Sequence, residues 1–103
     1  MSDEARRAHA RDRLAALRNG FVERLRTRVG ELERAVEGAR AGDDGGVERT
    51  EQLAHKLAGT AGSYGFQEVG DVAAQLETLC GGRFDPETAR VLMDRLRALV
   101  PGS

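Results

Sequence analysis

His55 opens the stretch HKLAGTAGSYGF (residues 55–66), in which one imidazole is followed by Ala58, Gly59, Ala61, Gly62 and Ser63. A neutral imidazole is a nucleophile near pH 7 without further activation. It is best placed to react when one ring nitrogen attacks while the other keeps its proton against an acceptor. Two carboxylates have the spacing to be that acceptor. Glu51 lies four residues before His55, one turn earlier on the same helix, where such a pair is worth about 0.2–0.5 kcal/mol. Glu77 comes four residues after Ala73, at the border of the next helix's apolar face, from where it can reach across to the histidine helix. The glycines carry a cost, since each one inside a helix loses roughly 0.5–1 kcal/mol against alanine. Access of another protein's groups to the imidazole would offset that loss.

The elements that must hold these residues are helical. Leu14, Leu17, Phe21, Leu25, Val29, Leu32 and Val36 step by threes and fours, which is one apolar stripe along a long helix, with a kink or short break expected at Asn19-Gly20. The first dozen residues lack a strong stripe and are expected to fray or to cap one end of the assembly. GDDGG (42–46) is a loop, with Asp43 or Asp44 the expected cap of the next helix. There Val47, Thr50, Ala54, Leu57, Ala61 and Tyr64 keep the rhythm until Gly65 stops it. Val69, Val72, Ala73, Leu76, Leu79 and Cys80 mark a third helix, ended by Gly81-Gly82. Asp85 as N-cap and Pro86 at the first helical position open a fourth, with Ala89, Leu92, Met93, Leu96, Leu99 and Val100 inward and Pro101 as its stop. No segment alternates with period two. The predicted fold is all-α: an up-down antiparallel four-helix bundle with room for a short extra N-terminal helix, forming one domain over residues 1–103, of which 1–13 are a charged N-terminal segment.

The phase of the second helix decides what His55 does. With Leu57 inward, His55 points about 160° away, into water. Glu48, Glu51, Gln52, Gly59 and Gly62 share that outer face, and Ala58 lies at its edge. The face therefore reads as polar residues, then an imidazole, then almost no side chains. It suits a partner protein approaching closely, with Glu51, Gln52, Ala58, Gly59 and Gly62 as the candidate contact residues. His9, in the charged N-terminal stretch, reads as an ordinary solvated side chain.

Bulk properties narrow the classes. The chain has 103 residues, a net charge of −1, 40% hydrophobic and 32% charged residues, the balance of a soluble globular chain with one modest core. Neither nucleic acid nor an anionic membrane is an expected partner at that charge, and one tyrosine and three phenylalanines make a poor stacking surface for bases. No apolar run approaches the 18 or so residues of a membrane span. The charged opening MSDEARRAHARDR does not read as a secretory signal. The single cysteine, Cys80, allows neither a disulfide framework nor a cysteine-based zinc site, and a cytoplasmic setting is expected. There is no phosphate-cradling loop for ATP, and the scattered acids form no recognisable magnesium site. A metal or haem bundle built on His55 and His9 is disfavoured, because no Glu-x-x-His motifs pair across helices. No cofactor and no metal is expected.

The stretch AHKLAGTAGSYGF resembles the active-site helix of histidine-containing phosphotransfer (HPt) domains, including those that open chemotaxis kinases. His55, Leu57, Gly59, Gly65 and Phe66 match the family pattern, and QLE at 75–77 matches its close to the next helix. The resemblance covers roughly residues 14–100. It implies a phosphorelay carrier that accepts a phosphoryl group on His55 from a receiver-domain aspartate or a histidine kinase and passes it to the aspartate of a response-regulator receiver domain. It also places a Glu or Gln at position 77, which favours Glu77 as the residue orienting His55. The family's frequent lysine three residues after the histidine is Ala58 here, and the missing positive charge is expected from Lys56 or from the partner. Receiver domain and sensor histidine kinase are the implied partners, the chain itself being a monomer. The alternative is a bundle of the same fold that carries no phosphate and serves as an adaptor.

Overall fold

The computed structural model describes residues 2–102. Met1 and Ser103, the ends of the expected domain, lie outside the described residues. Four helices follow one another: α1 (Asp3–Arg40), α2 (Gly46–Ala61), α3 (Gln67–Gly81) and α4 (Pro86–Leu99), with a single 3-10 turn at Gly62–Tyr64 between α2 and α3. Among the described residues there is no strand. Among the described residues no helix is long and apolar enough to cross a membrane.

Cross-helix contacts fix the directions. Tyr64, just past α2, stacks on Phe21, and Gly46 at the start of α2 lies against Ala39, so α1 and α2 run antiparallel. Glu51 approaches Gly81 and His55 bonds Glu77, which makes α2 and α3 antiparallel. Arg97 donates to Glu33, Arg26 to the Pro101 carbonyl, and Arg40 approaches Glu87, so α4 returns antiparallel to α1. This is the up-down four-helix bundle expected from four stripes joined by short links. Its core is aliphatic, with Leu25, Leu32, Leu57, Leu76 and Leu96 fully buried around Phe21. Each such leucine contributes about 1.5–3 kcal/mol of transfer free energy.

Three details depart from the sequence reading. Asn19-Gly20 makes no break: α1 is helical from Asp3 to Arg40. Residues 3–13 belong to that same helix, whose N-terminus is capped by the Ser2 hydroxyl accepting from the Ala5 amide. Next, Leu14 and Leu17 are in phase with the core yet 67% and 64% exposed, whereas Phe21 is 1% exposed. The cause is length: α2 ends at Ala61 and its turn reaches only as far as Phe21, so α1 outruns the helices that would cover it, and the molecule extends 60 Å along one axis against 20 and 18 Å across. Finally, neither Asp43 nor Asp44 caps α2. The N-cap is Gly45 in the left-handed conformation (φ 75°), with no side-chain cap bond. The following Gly46 is held so near α1 that a Cβ there would meet the Ala39 nitrogen at 2.7 Å. The loop is a backbone device for bringing α2 hard against α1.

The other stops fall where the sequence places them. Gly65 sits at φ 85°, and Asp85 and Pro86 occupy the N-cap and first position of α4. The Asp85 carboxylate accepts the Thr88 hydroxyl, which holds its pKa below the ordinary aspartate value. Val100 is the C-cap of α4, immediately before Pro101.

Candidate functional site

His55 stands on the outer face of α2, two residues before the fully buried Leu57. Its side chain is 73% exposed. Nδ1 lies 2.7 Å from Oε2 of Glu77, a half-buried carboxylate on α3. A carboxylate accepts, so Nδ1 carries the hydrogen and donates it. A hydrogen bond this open to water adds little to stability. Its consequence is chemical: it fixes the tautomer and the ring orientation, and leaves Nε2 facing solvent. Among the described residues Nε2 has no hydrogen-bond partner.

The helix pair that makes this contact is built from small residues. Ala54, Ala61 and Ala73 are fully buried, and a Cβ on Gly70 would lie 3.3 Å from the Ala58 carbonyl oxygen and 3.9 Å from the Ala61 Cβ. Alanines and a glycine allow α2 and α3 to approach closely enough for a histidine and a glutamate to bond across the seam. Gly70 was not singled out by the spacing of chemical groups. The signal that could have found it is a glycine inside an otherwise apolar helical stripe, beside Val69.

The remaining candidates sort themselves by position. Gly59, one turn beyond His55, is exposed, and a Cβ built on it would meet nothing within 4 Å. The surface beside the imidazole is bare backbone. Gly62 is less open than expected: it is half-buried, and a Cβ there would meet Gln67 Oε1 at 3.4 Å. Ala58 is half-buried and packs on the core. Lys56 is exposed beside His55, its carbonyl accepting the Thr60 hydroxyl at 2.7 Å. Gln52 is exposed on the same outer face. Glu51 does not reach the imidazole. Its carboxylate turns toward the C-terminal end of α3, 3.3 Å from where a Gly81 Cβ would stand. Burial, and then the nearby Glu51 charge, push the Cys80 thiol up to about 11. Of the two candidate acceptors, the geometry brings Glu77 to His55 and carries Glu51 away from it.

His9 lies on the exposed N-terminal part of α1, well before Phe21. Among the described residues no group of three or more His, Cys, Asp or Glu could hold a metal ion.

A model of the family described as Hpt domain matches residues 8–101. No curated protein and no solved structure matches the chain. Hpt domains are helical bundles with a phosphotransfer role in two-component signalling, where they interact with kinases and receiver domains. A family match over nearly the whole length, on a four-helix bundle that lifts one imidazole off its second helix, shows that this chain belongs to the Hpt domain family.

Proposed function

We propose that the chain acts as one phosphorelay domain in which His55 takes a phosphoryl group from a receiver-domain aspartate or a histidine kinase and hands it to the aspartate of a response-regulator receiver domain. The single observation that carries this reading is the exposed imidazole tied through Nδ1 to Glu77 at 2.7 Å, next to the open backbone of Gly59. The Nε2 lone pair attacks phosphorus, the bond from phosphorus to the aspartyl oxygen breaks, and the aspartate leaves as a carboxylate. The ring gains positive charge as the N–P bond forms, and Glu77, already accepting from Nδ1, stabilises that charge. Return transfer runs the same steps toward the acceptor's carboxylate. Lys56, exposed on the flank of His55, supplies positive charge near the phosphoryl oxygens in place of the lysine absent at Ala58. Glu51, Gln52, Ala58, Gly59 and Gly62 form the contact surface for the receiver, whose acidic pocket closes over the imidazole. The encounter is small and transient, and the chain works as a cytoplasmic monomer.

Incubation with a phosphorylated receiver domain tests this reading. Wild-type chain is expected to acquire an acid-labile label, and His55→Gln, with unchanged circular dichroism, to acquire none. Label persisting in His55→Gln overturns the assignment. A folded wild-type chain that is never labelled by any receiver or kinase of its own cell favours the adaptor reading instead.

A further inference from the structure

The first four turns of α1 run beyond the rest of the bundle, Arg18 already lying over the Phe66 ring at 4.8 Å from its centroid. Leu14 and Leu17 continue the stripe of Phe21 and Leu25 into open water. At 100° per residue, Arg7, Arg11 and Arg18 line one side of this ridge and Arg13 the other. Five arginines stand against three acids between Asp3 and Arg18. Of those acids, Asp3 is engaged by Arg6 at 3.0 Å, Glu4 sits with it in the first turn, where the helix dipole favours negative charge, and Asp12 falls on the opposite face. We propose that this arm docks an acidic amphipathic helix of a partner protein, its apolar residues on Leu14 and Leu17 and its carboxylates on the flanking arginines.

The charge pattern selects this occupant. A second copy pairing antiparallel, with Leu14 on the other chain's Leu17, would bring the same flank of each helix together and set Arg11 beside the other chain's Arg18. A parallel copy would set Arg6 beside the other chain's Arg11 and Arg13 beside its Arg18. Like charges in facing rows oppose either dimer. An anionic bilayer fits less well, because an interfacial helix needs a broad face of Trp, Phe and Leu. Here two leucines and Ala10 make the ridge, and Asp3 ends it. An acidic helix meets both parts of the surface: its apolar residues remove Leu14 and Leu17 from water, and the charge rows set approach and register. The arm is also clear of the imidazole. Tyr64 lies over Phe21 and Gly46 against Ala39, which puts His55 level with Gly30 on α1. Leu17 is then about 20 Å further along at 1.5 Å per residue, so both surfaces can be occupied together.

The test uses the full chain and a fluorescent synthetic helix of about 20 residues with Leu at a and d and Glu at e and g, read by anisotropy. Saturable binding is expected, weakened at least about tenfold by raising salt from about 50 to about 500 mM. Comparable losses are expected in Leu14→Ser/Leu17→Ser and in Arg11→Glu/Arg13→Glu, with helicity by circular dichroism retained in both. Absence of binding overturns the proposal, as does equal binding by wild type and both variants. So does capture by vesicles of equimolar phosphatidylserine and phosphatidylcholine while the peptide is refused, or a dimer in sedimentation equilibrium that Leu14→Ser/Leu17→Ser dissolves. The readout needs no phosphate, so this proposal and the phosphotransfer reading fail independently.

Discussion

Glu77 and His55 are 22 residues apart in the chain and 2.7 Å apart in space, joined across the seam between two antiparallel helices. The bond selects Nδ1–H and turns Nε2 outward. Removing the charge while keeping the side chain's shape, and then removing the acceptor altogether, separates the two parts of that effect. Glu77→Gln keeps an oxygen for the Nδ1 hydrogen but loses the charge; Glu77→Ala loses both. Phosphoryl acceptance is expected to fall about tenfold in Glu77→Ala, about 1.4 kcal/mol in the barrier, and less in Glu77→Gln. Thermal unfolding should barely move in either, since a contact this exposed holds little stability. Rapid-quench labelling with a phosphorylated receiver checks the order of the three rates, and equal rates would return Glu77 to an ordinary surface acid.

Gly59 separates stability from access. Nothing lies within 4 Å of the position its Cβ would take, so a larger residue meets no steric resistance in the folded chain. Gly59→Gln is expected to stabilise α2 by up to about 1 kcal/mol while obstructing a partner over the imidazole. A higher unfolding midpoint in urea together with slower transfer is the expected pair of results. A normal transfer rate would show that no partner packs on this face.

Gly46 should behave in the opposite way. Its Cβ would stand 2.7 Å from the Ala39 nitrogen and 2.8 Å from its Cα, both backbone atoms that cannot swing aside. Gly46→Ala is expected to destabilise by about 1–3 kcal/mol, the usual cost of forced overpacking. Urea titration of the two glycine variants side by side gives the comparison, with midpoints moving in opposite directions.

Cys80 is buried at the C-terminal end of α3, and its thiol titrates near 11 against an ordinary value of 9.0. Because the folded chain holds this proton more tightly than the unfolded chain, the stability linked to it is complete below about 9 and is lost as pH rises toward 11. Cys80→Ser is expected to remove that part of the alkaline decline, measured as unfolding midpoints between neutral and alkaline pH. At pH 8 a disulfide reagent such as dithionitrobenzoate should modify Cys80 slowly in the native chain and fast in urea.

Much of this arrangement is written in local chemistry. Apolar steps of three and four place all four helices, and Gly65, Asp85, Pro86 and Pro101 set their limits, because backbone preference at those residues does not depend on neighbours far along the chain. The outward phase of His55 follows from Leu57, two residues and about 160° away around the helix. Packing decided the rest. A stripe does not record how long its partner helices are, so Leu14 and Leu17 read as core residues although α2 stops too soon to cover them. Asn19-Gly20 reads as punctuation, yet α1 holds its helix through the pair, with Phe21 clasped next to it by Tyr64 and Phe66. Asp43 and Asp44 look like caps, but the closeness of α2 to Ala39 requires glycine geometry there. The choice between Glu51 and Glu77 belongs to the same class. Spacing along one helix brings Glu51 within a turn of His55, but the rotation of α3 against α2, set by how closely Gly70 and the alanines pack, sends Glu51 toward Gly81 and delivers Glu77 to the imidazole.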